Sequence, residues 1–165
     1  RAGAMWNLVG FQTRLRIPEQ QKVFRTIPGM AEAEFLRYGS IHRNSYLNAP
    51  AALGPALQVK DGAALFFAGQ LTGVEGYTES LATGILCGIN LARVLHGEAP
   101  SVPPPSTMLG GLLRYLQEAE PAHFQPMNAN FGLLDPIEGR ATKVERKARA
   151  VERARQDFAA WRSTL

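Results

Sequence analysis

The sequence predicts a loop-rich α/β fold, and three observations carry that prediction. Of 165 residues, 45% are hydrophobic and 19% charged, which suffices for one domain-sized core. The 16 Gly and 11 Pro are scattered through the chain without a period. A short apolar run, Ala63 to Ala68, passes through a glycine-rich loop into a helical apolar stripe, the order of half a dinucleotide-type βαβ unit.

The elements follow in order. Trp6 to Leu15 is rich in branched and aromatic residues and predicts a strand. Pro18 opens a short helix through Arg25, stopped by Ile27-Pro28-Gly29, and Ala31 to Leu36 predicts a further helical turn. Tyr38 to Leu47 alternates polar and apolar residues, as an extended segment does, and residues 48–62 are mostly loop around a short strand at Ala56 to Val59. A strand at Ala63 to Ala68, covered on both faces, then leads to a helix from Thr78. Its stripe is Leu81, Ile85, Ile89, Ala92 and Leu95, and Gly97 closes it. Gly84 and Gly88 on this helix predict tight packing against a sheet. Prolines at 100, 103, 104 and 105 form an extended connector, and Met108 to Glu118 predicts a helix. Residues 123–136 are too apolar for a solvated linker and are expected to pack over something. Ala141 to Trp161 predicts an amphipathic helix with Val144, Ala148, Val151, Phe158 and Trp161 on one face.

Composition excludes several classes. No stretch approaches the roughly 18 apolar residues of a membrane span. The opening Arg1-Ala2-Gly3-Ala4-Met5-Trp6 has neither a basic nor an apolar leader region, so no secretory signal is expected. The single cysteine, Cys87, fits a reducing cytoplasm. The net charge of +4 resides in residues 138–165, where eight Lys and Arg stand against four acidic residues. Such a basic surface can meet polyphosphate, and solvated helices are often equally basic.

The main chemical signal is Gly69 to Tyr77. Glycines at 69, 73 and 76 allow a sharp turn and close backbone approach, while the following helix aims unpaired N–H groups at the loop. An anion such as a nucleotide phosphate suits that place, and so does a tight turn with no ligand. The spacing GxxxGxxG departs from GxGxxG, and Glu75 either repels phosphate or caps the helix in a Thr72–Glu75 box. His42, beside Arg43 and Asn44, could donate to a polar heterocycle. Cys87, mid-helix among apolar neighbours, reads as an inert buried thiol. The three His and one Cys have no metal-ligand spacing, and no nucleophilic serine motif is present.

Five blocks, NLVGFQTRL (Asn7 to Leu15), QKVFRTIPGM (Gln21 to Met30), AEFLRYGSIHRNSYLNAP (Ala33 to Pro50), LFFAGQLTGVEGYTESLATGILCGINLAR (Leu65 to Arg93) and FQPMNANFGLL (Phe124 to Leu134), resemble the FAD- and folate-dependent tRNA (uracil-5-)-methyltransferases, the TrmFO or Gid family. The long block is shared in part with the related GidA/MnmG flavoproteins, whereas IHRNSYLNAP and QPMNANFGLL are similar to TrmFO. The resemblance covers the C-terminal portion of such an enzyme. The GxGxxG unit and the catalytic cysteines of the family lie in more N-terminal segments, so no catalytic residue is assigned to this chain, and none to Cys87.

The resemblance implies part of a Rossmann-like, glutathione-reductase-like FAD-binding domain. Residues 1–36 would finish an inserted domain, 37–137 would form the C-terminal part of the FAD domain, and 138–165 a basic C-terminal helix. Gly69, Gln70, Thr72, Gly73, Gly76 and Tyr77 would lie along the flavin end of FAD, with the Thr72 hydroxyl meeting its polar edge. His42, Arg43 and Asn44 would line the folate pocket, and Arg14, Arg16 and Arg43 would meet tRNA phosphates. The implied co-substrates are 5,10-methylenetetrahydrofolate and NAD(P)H, and the implied partners are tRNA and the N-terminal half of the enzyme. Alternatives are a non-catalytic flavin or nucleotide module and a GidA-like wobble-uridine modification component. Apolar surface meant for absent strands would be exposed. The isolated chain is therefore expected to self-associate in sedimentation velocity at high concentration, and a monodisperse monomer would contradict this.

Overall fold

Helix α1, Ile17–Arg25, starts where the sequence places it, with Pro18 in its first turn, where a missing N–H costs nothing. The computed structural model describes residues 5, 6, 8–41, 45–62 and 64–165. The described chain divides into two units, residues 1–43 and 44–165.

In the first unit α1 is held by one buried amide. Gln20 is 2% exposed. Its Nε2 donates to the carbonyls of Leu15 (2.7 Å) and Gly39 (2.9 Å), and its Oε1 accepts from the Gly39 N–H (3.0 Å). Phe24 from the same helix meets Phe11 edge-on, with centroids 5.2 Å apart, and Phe35 at 5.8 Å. The expected strand at 6–15 and helical turn at 31–36 do not form; both stretches are turns and irregular chain among the described residues. Here tertiary aromatic packing and the Gln20 bonds organise the backbone instead of a regular ladder.

The second unit contains α2 (Ala49–Ala52), α3 (Tyr77–Leu95), α4 (Met108–Glu118) and α5 (Lys143–Arg162), with 3₁₀ turns at Gly69–Thr72, Pro121–His123 and Phe131–Leu133. Its core gathers Leu53, Leu57, Val74, Leu86, Leu112, Leu113, Leu116 and Phe124. The expected sheet is absent among the described residues. What forms instead are isolated bridges: Leu53 with Val59 and Gln58 with Phe66, both antiparallel, and Val74 with Met127, parallel. The apolar run expected to be covered on both faces is only half covered, Leu65 being 50% exposed. Thus the described residues form helices joined by irregular chain with a few isolated bridges, and the expected Rossmann-like sheet is not present among them.

Helix α3 ends in a Schellman motif: Gly97 (φ +79°) stands just past the cap, its N–H bonds the Val94 carbonyl at 3.0 Å, and the Glu98 N–H bonds the Arg93 carbonyl at 2.9 Å. The predicted stripe of α3 is not its buried side. Thr83, Leu86, Cys87 and Asn90 are buried, whereas Leu81 and Leu95 point outward. Asn90 explains the rotation, because its side chain donates to the Ser101 carbonyl (2.9 Å) and accepts the Ser101 N–H (2.7 Å) while fully buried. Helix α4 matches its predicted bounds and is capped by Thr107, whose Oγ1 accepts the Gly110 N–H at 3.0 Å.

Helix α5 opens on a capping box, Thr142 Oγ1 accepting the Glu145 N–H and Glu145 Oε2 accepting the Thr142 N–H. That bond from Thr142 holds the Glu145 carboxyl below its usual range. The predicted apolar face is again rotated. Ala150 is buried and Trp161 half-buried, while Val144 and Ala148 are exposed. Polar anchors decide the register: Ser106 Oγ donates to Asp157 (2.5 Å), Trp161 Nε1 to Ser101 Oγ (2.7 Å), and Arg153 Nη2 to the Asp135 carbonyl (2.6 Å). No described helix is long and apolar enough to cross a membrane.

Replacing Asn90 by Leu is expected to lower stability by about 2–4 kcal/mol, because both backbone groups of Ser101 lose their partner. Chemical denaturation checks this, and an unchanged midpoint would refute the clamp.

Candidate functional site around the glycine loop

Two separate stretches of the second unit converge on residues 69–77. The Leu47 N–H bonds the Leu71 carbonyl at 2.7 Å, bringing in the end of the Ile41–Pro50 block. Met127 N–H bonds the Gly73 carbonyl and Glu75 N–H the Met127 carbonyl, each at 2.9 Å, bringing in residues 124–130. The ring of Phe124 lies under the loop, 5.9 Å from Tyr46 and 6.1 Å from Tyr115 between centroids. Tyr115 in turn donates to the Gln125 carbonyl at 2.8 Å.

The loop is shaped from within by two threonines. Thr72 is wholly buried and its Oγ1 donates to the Gly69 carbonyl at 2.8 Å, while Thr83 Oγ1 accepts the Gly69 N–H at 3.0 Å. Thr72 therefore does not cap α3, and the Thr72–Glu75 box does not form; the helix starts at Gly76 without a side-chain cap. Two glycines are demanded by geometry. Gly73 has φ +83°, and a Cβ there would lie 2.5 Å from Phe124 Cζ. Gly76 has φ +106°, and a Cβ there would overlap the Glu79 carboxylate.

Glu79 is informative about charge. Its Oε1 accepts the Ala129 N–H at 3.2 Å, so a carboxylate already stands at the N-terminal end of α3, with exposed Glu75 beside it. A phosphate would meet two negative groups there. A neutral ligand edge with hydrogen-bond acceptors suits the exposed loop backbone better.

Of the predicted residues, Gly69, Thr72 and Gly73 are buried in the loop, and Gln70, Gly76 and Tyr77 are exposed, Tyr77 at 95%. Arg14 and Arg16 are exposed in the first unit and form no salt bridge among the described residues. His42, Arg43 and Asn44 lie outside the described residues. Sequence reading missed Phe124, Met127, Glu79 and Thr83 as parts of this site. Only the apolar character of residues 123–136 signalled that this stretch packs on something.

Residues 1–99, which include the loop and α3, match the family model for glucose inhibited division protein A. The chain belongs to this family. Across its full length it is 52% identical to the methylenetetrahydrofolate–tRNA-(uracil-5-)-methyltransferases TrmFO of Geobacter sulfurreducens and of Thermus thermophilus, covering 38% and 37% of those proteins. The TrmFO protein of Desulforudis audaxviator is 52% identical over 163 residues. The chain thus spans less than two-fifths of the length of these relatives and corresponds to the C-terminal portion of the family.

Within this family segment Cys87 is a structural residue. Its Sγ donates to the Phe67 carbonyl at 3.1 Å, and burial pushes the thiol up to about 11 from its usual 9.0.

Gly73→Ala is expected to cost about 3 kcal/mol, from left-handed backbone and overlap with Phe124; adding Phe124→Leu should return only part, since the backbone strain remains. Full recovery in thermal melts would refute the backbone contribution. Alkylation of Cys87 at pH 8 is expected to run at least about tenfold slower in the folded chain than in denaturant. Because the folded pKa is raised, the stabilising contribution of the neutral thiol is present below pH 9.0 and fades as pH rises through about 11.

Proposed function

We propose that this chain is the C-terminal portion of an FAD-dependent enzyme that methylates uridine C5 in the T-loop of tRNA, using 5,10-methylenetetrahydrofolate. The observation that carries this reading is the convergence of Leu47 and Met127 on a glycine loop whose exposed backbone, at Gln70, Gly76 and Tyr77, opens the N-terminus of α3 beside carboxylates. It is supported by 52% identity to enzymes named for that activity.

The residues fit the flavin end of FAD. A Cβ at Gly76 would fill space against Glu79, and the loop N–H groups stand where a neutral heterocycle edge, rather than its phosphates, is electrostatically tolerated. Thr72 acts by holding the Gly69 carbonyl, not by donating to the cofactor. Bound FAD would supply the redox and one-carbon chemistry linking methylenetetrahydrofolate, NAD(P)H and the uridine. This chain's own residues bind and orient: Gln70, Gly76 and Tyr77 border the flavin edge, and Phe124 holds the loop rigid beneath it. His42, Arg43 and Asn44 would face the folate. Arg14, Arg16 and Arg43 would meet tRNA phosphates without reading bases. In this reading residues 37–137 complete a Rossmann-like domain whose remaining strands belong to the N-terminal portion, residues 1–36 close an inserted domain, and 138–165 form the basic C-terminal helix.

Joining this chain to the preceding portion of the Geobacter sulfurreducens relative is expected to yield a protein that stays yellow after mixing with FAD and desalting, and that methylates tRNA. Gly76→Ala in that fusion should weaken flavin retention at least about tenfold while leaving helical circular dichroism intact. Equal retention by the preceding portion alone would overturn the assignment of the loop.

A further inference from the structure

Between α4 and α5 the second unit holds a cavity of about 590 Å³, and none of its lining residues belongs to the glycine loop. Small-molecule sites span roughly 300–1,000 Å³. The walls are apolar: Met108 and Leu109 from α4, Phe131 and Leu134 from the turn that follows Asn130, and Val151 and Phe158 from α5. Ala82, Ala150, Ala154 and Ala159 also line it and leave open the space that leucines would fill. Thr107 is the one uncharged polar side chain of the lining, and its hydroxyl is already engaged. It donates to the Pro104 carbonyl at 2.7 Å and accepts the Gly110 N–H at 3.0 Å. The interior of the cavity therefore suits an alkyl or aryl group.

Polar ties hold this space open. The bonds from Ser106 to Asp157, from Trp161 to Ser101 and from Arg153 to the Asp135 carbonyl set where α5 lies, so the helix cannot slide inward to close over the alanines. Phe158 is braced by Trp161, with ring centroids 5.2 Å apart. Arg114 Nη2 holds the Leu133 carbonyl at 2.7 Å, next to Leu134 in the wall. The cavity is thus formed before any occupant arrives, which spares a ligand the cost of ordering it.

The mouth carries charge of one sign. Arg155 and Arg162 line the cavity, are exposed, and take part in no salt bridge or side-chain hydrogen bond among the described residues. They stand two helical turns apart on one side of α5, roughly 10 Å along its axis. Lys147 adds a third cation nearby, its Nζ 5.2 Å from the centroid of Phe131. No acidic residue lines the cavity. We propose that this cavity binds a single-chain amphipathic carboxylate of the fatty-acid class, with its alkyl chain between α4 and α5 and its head group on Arg155 and Arg162. Charge complementarity selects an anion over a neutral or cationic amphiphile. Walls on both sides, α4 with Phe131 and α5, admit one chain and not the face of a bilayer. The ligand is one that the proposed methylation does not use.

The test is calorimetric titration of dodecanoate, well below its micelle-forming concentration, into the fusion with the preceding portion of the Geobacter sulfurreducens relative. One saturable site per chain is expected. Arg155→Gln combined with Arg162→Gln should weaken it at least about tenfold, the loss that goes with charge-assisted hydrogen bonds. Both residues are exposed, so the melting temperature should not change. Dodecanol should bind at least about tenfold more weakly than dodecanoate, and dodecyltrimethylammonium not at all. Ala159→Leu, on an exposed position of the lining, should weaken dodecanoate by filling the cavity while the protein melts as before. Equal affinity for dodecanoate and dodecanol, or indifference to the arginine exchange, would overturn the proposal. So would capture of the fusion by phosphatidylglycerol vesicles with no binding of dodecanoate in solution, which would make α5 a membrane-surface helix. Binding to this chain alone but not to the fusion would overturn it as well, since the cavity would then be filled by protein. Saturating dodecanoate should leave retained flavin absorbance unchanged, and release of flavin would place the ligand at the glycine loop and refute the site. None of the binding readouts requires flavin or tRNA, so their failure is distinguishable from failure of the proposed activity.

Discussion

The pair of hydrogen bonds between Met127 and the backbone of Gly73 and Glu75 is the constraint on which the second unit depends. It joins stretches more than fifty residues apart and fixes where the glycine loop ends and α3 begins. Phe124, three residues before Met127, can then fill the space that a side chain at Gly73 would occupy. From Phe124 the packing runs to Tyr46 and Tyr115, and so to α4. Without this pairing the loop would keep its local threonine bonds and lose its floor.

Polar side chains, more than sheet ladders, set the positions of the elements. Gln20 fastens α1 to two backbone stretches, Asn90 fastens α3 to Ser101, and Trp161 reaches the hydroxyl of that same Ser101. Each is buried or half-buried and each pairs with groups that would otherwise be costly to enclose. Such contacts are specific in register, which is why they override the apolar stripes.

The helix ends at Pro18 and Gly97 are legible in the sequence because they are local, whereas Thr142, expected inside the last helix, caps it instead. The glycine loop was legible for the same reason. Which face of α3 would be buried was not, since Leu81, Ile85 and Leu95 look equally apolar whether their cover lies in this chain or outside it. Expected strands at 6–15 and 63–68 failed for a related reason: strand formation needs a partner distant in sequence, and among the described residues only fragments of one are present. The part of the site supplied by residues 124–130 had no local signature beyond its apolar content. The resemblance to a known family points to the loop as a candidate site, and the structure shows the Thr72 hydroxyl bonded to the Gly69 carbonyl within it.

The proline connector between α3 and α4 carries a consequence for how the chain acquires its form. Four prolines in residues 100–105 stiffen the link. Thr107 caps the next helix and bonds back to the Pro104 carbonyl at 2.7 Å, while Gly110 lies so close to the Pro103 and Pro104 carbonyls that only hydrogen fits. Asn90 clamps the opposite end of the link at Ser101. Little freedom is left to lose when α3 and α4 meet, so their docking carries a small loop-closure entropy and draws on contacts close in sequence. By comparison, the bonds from Leu47 to Leu71 and from Met127 to Gly73 close longer loops and cost more chain entropy.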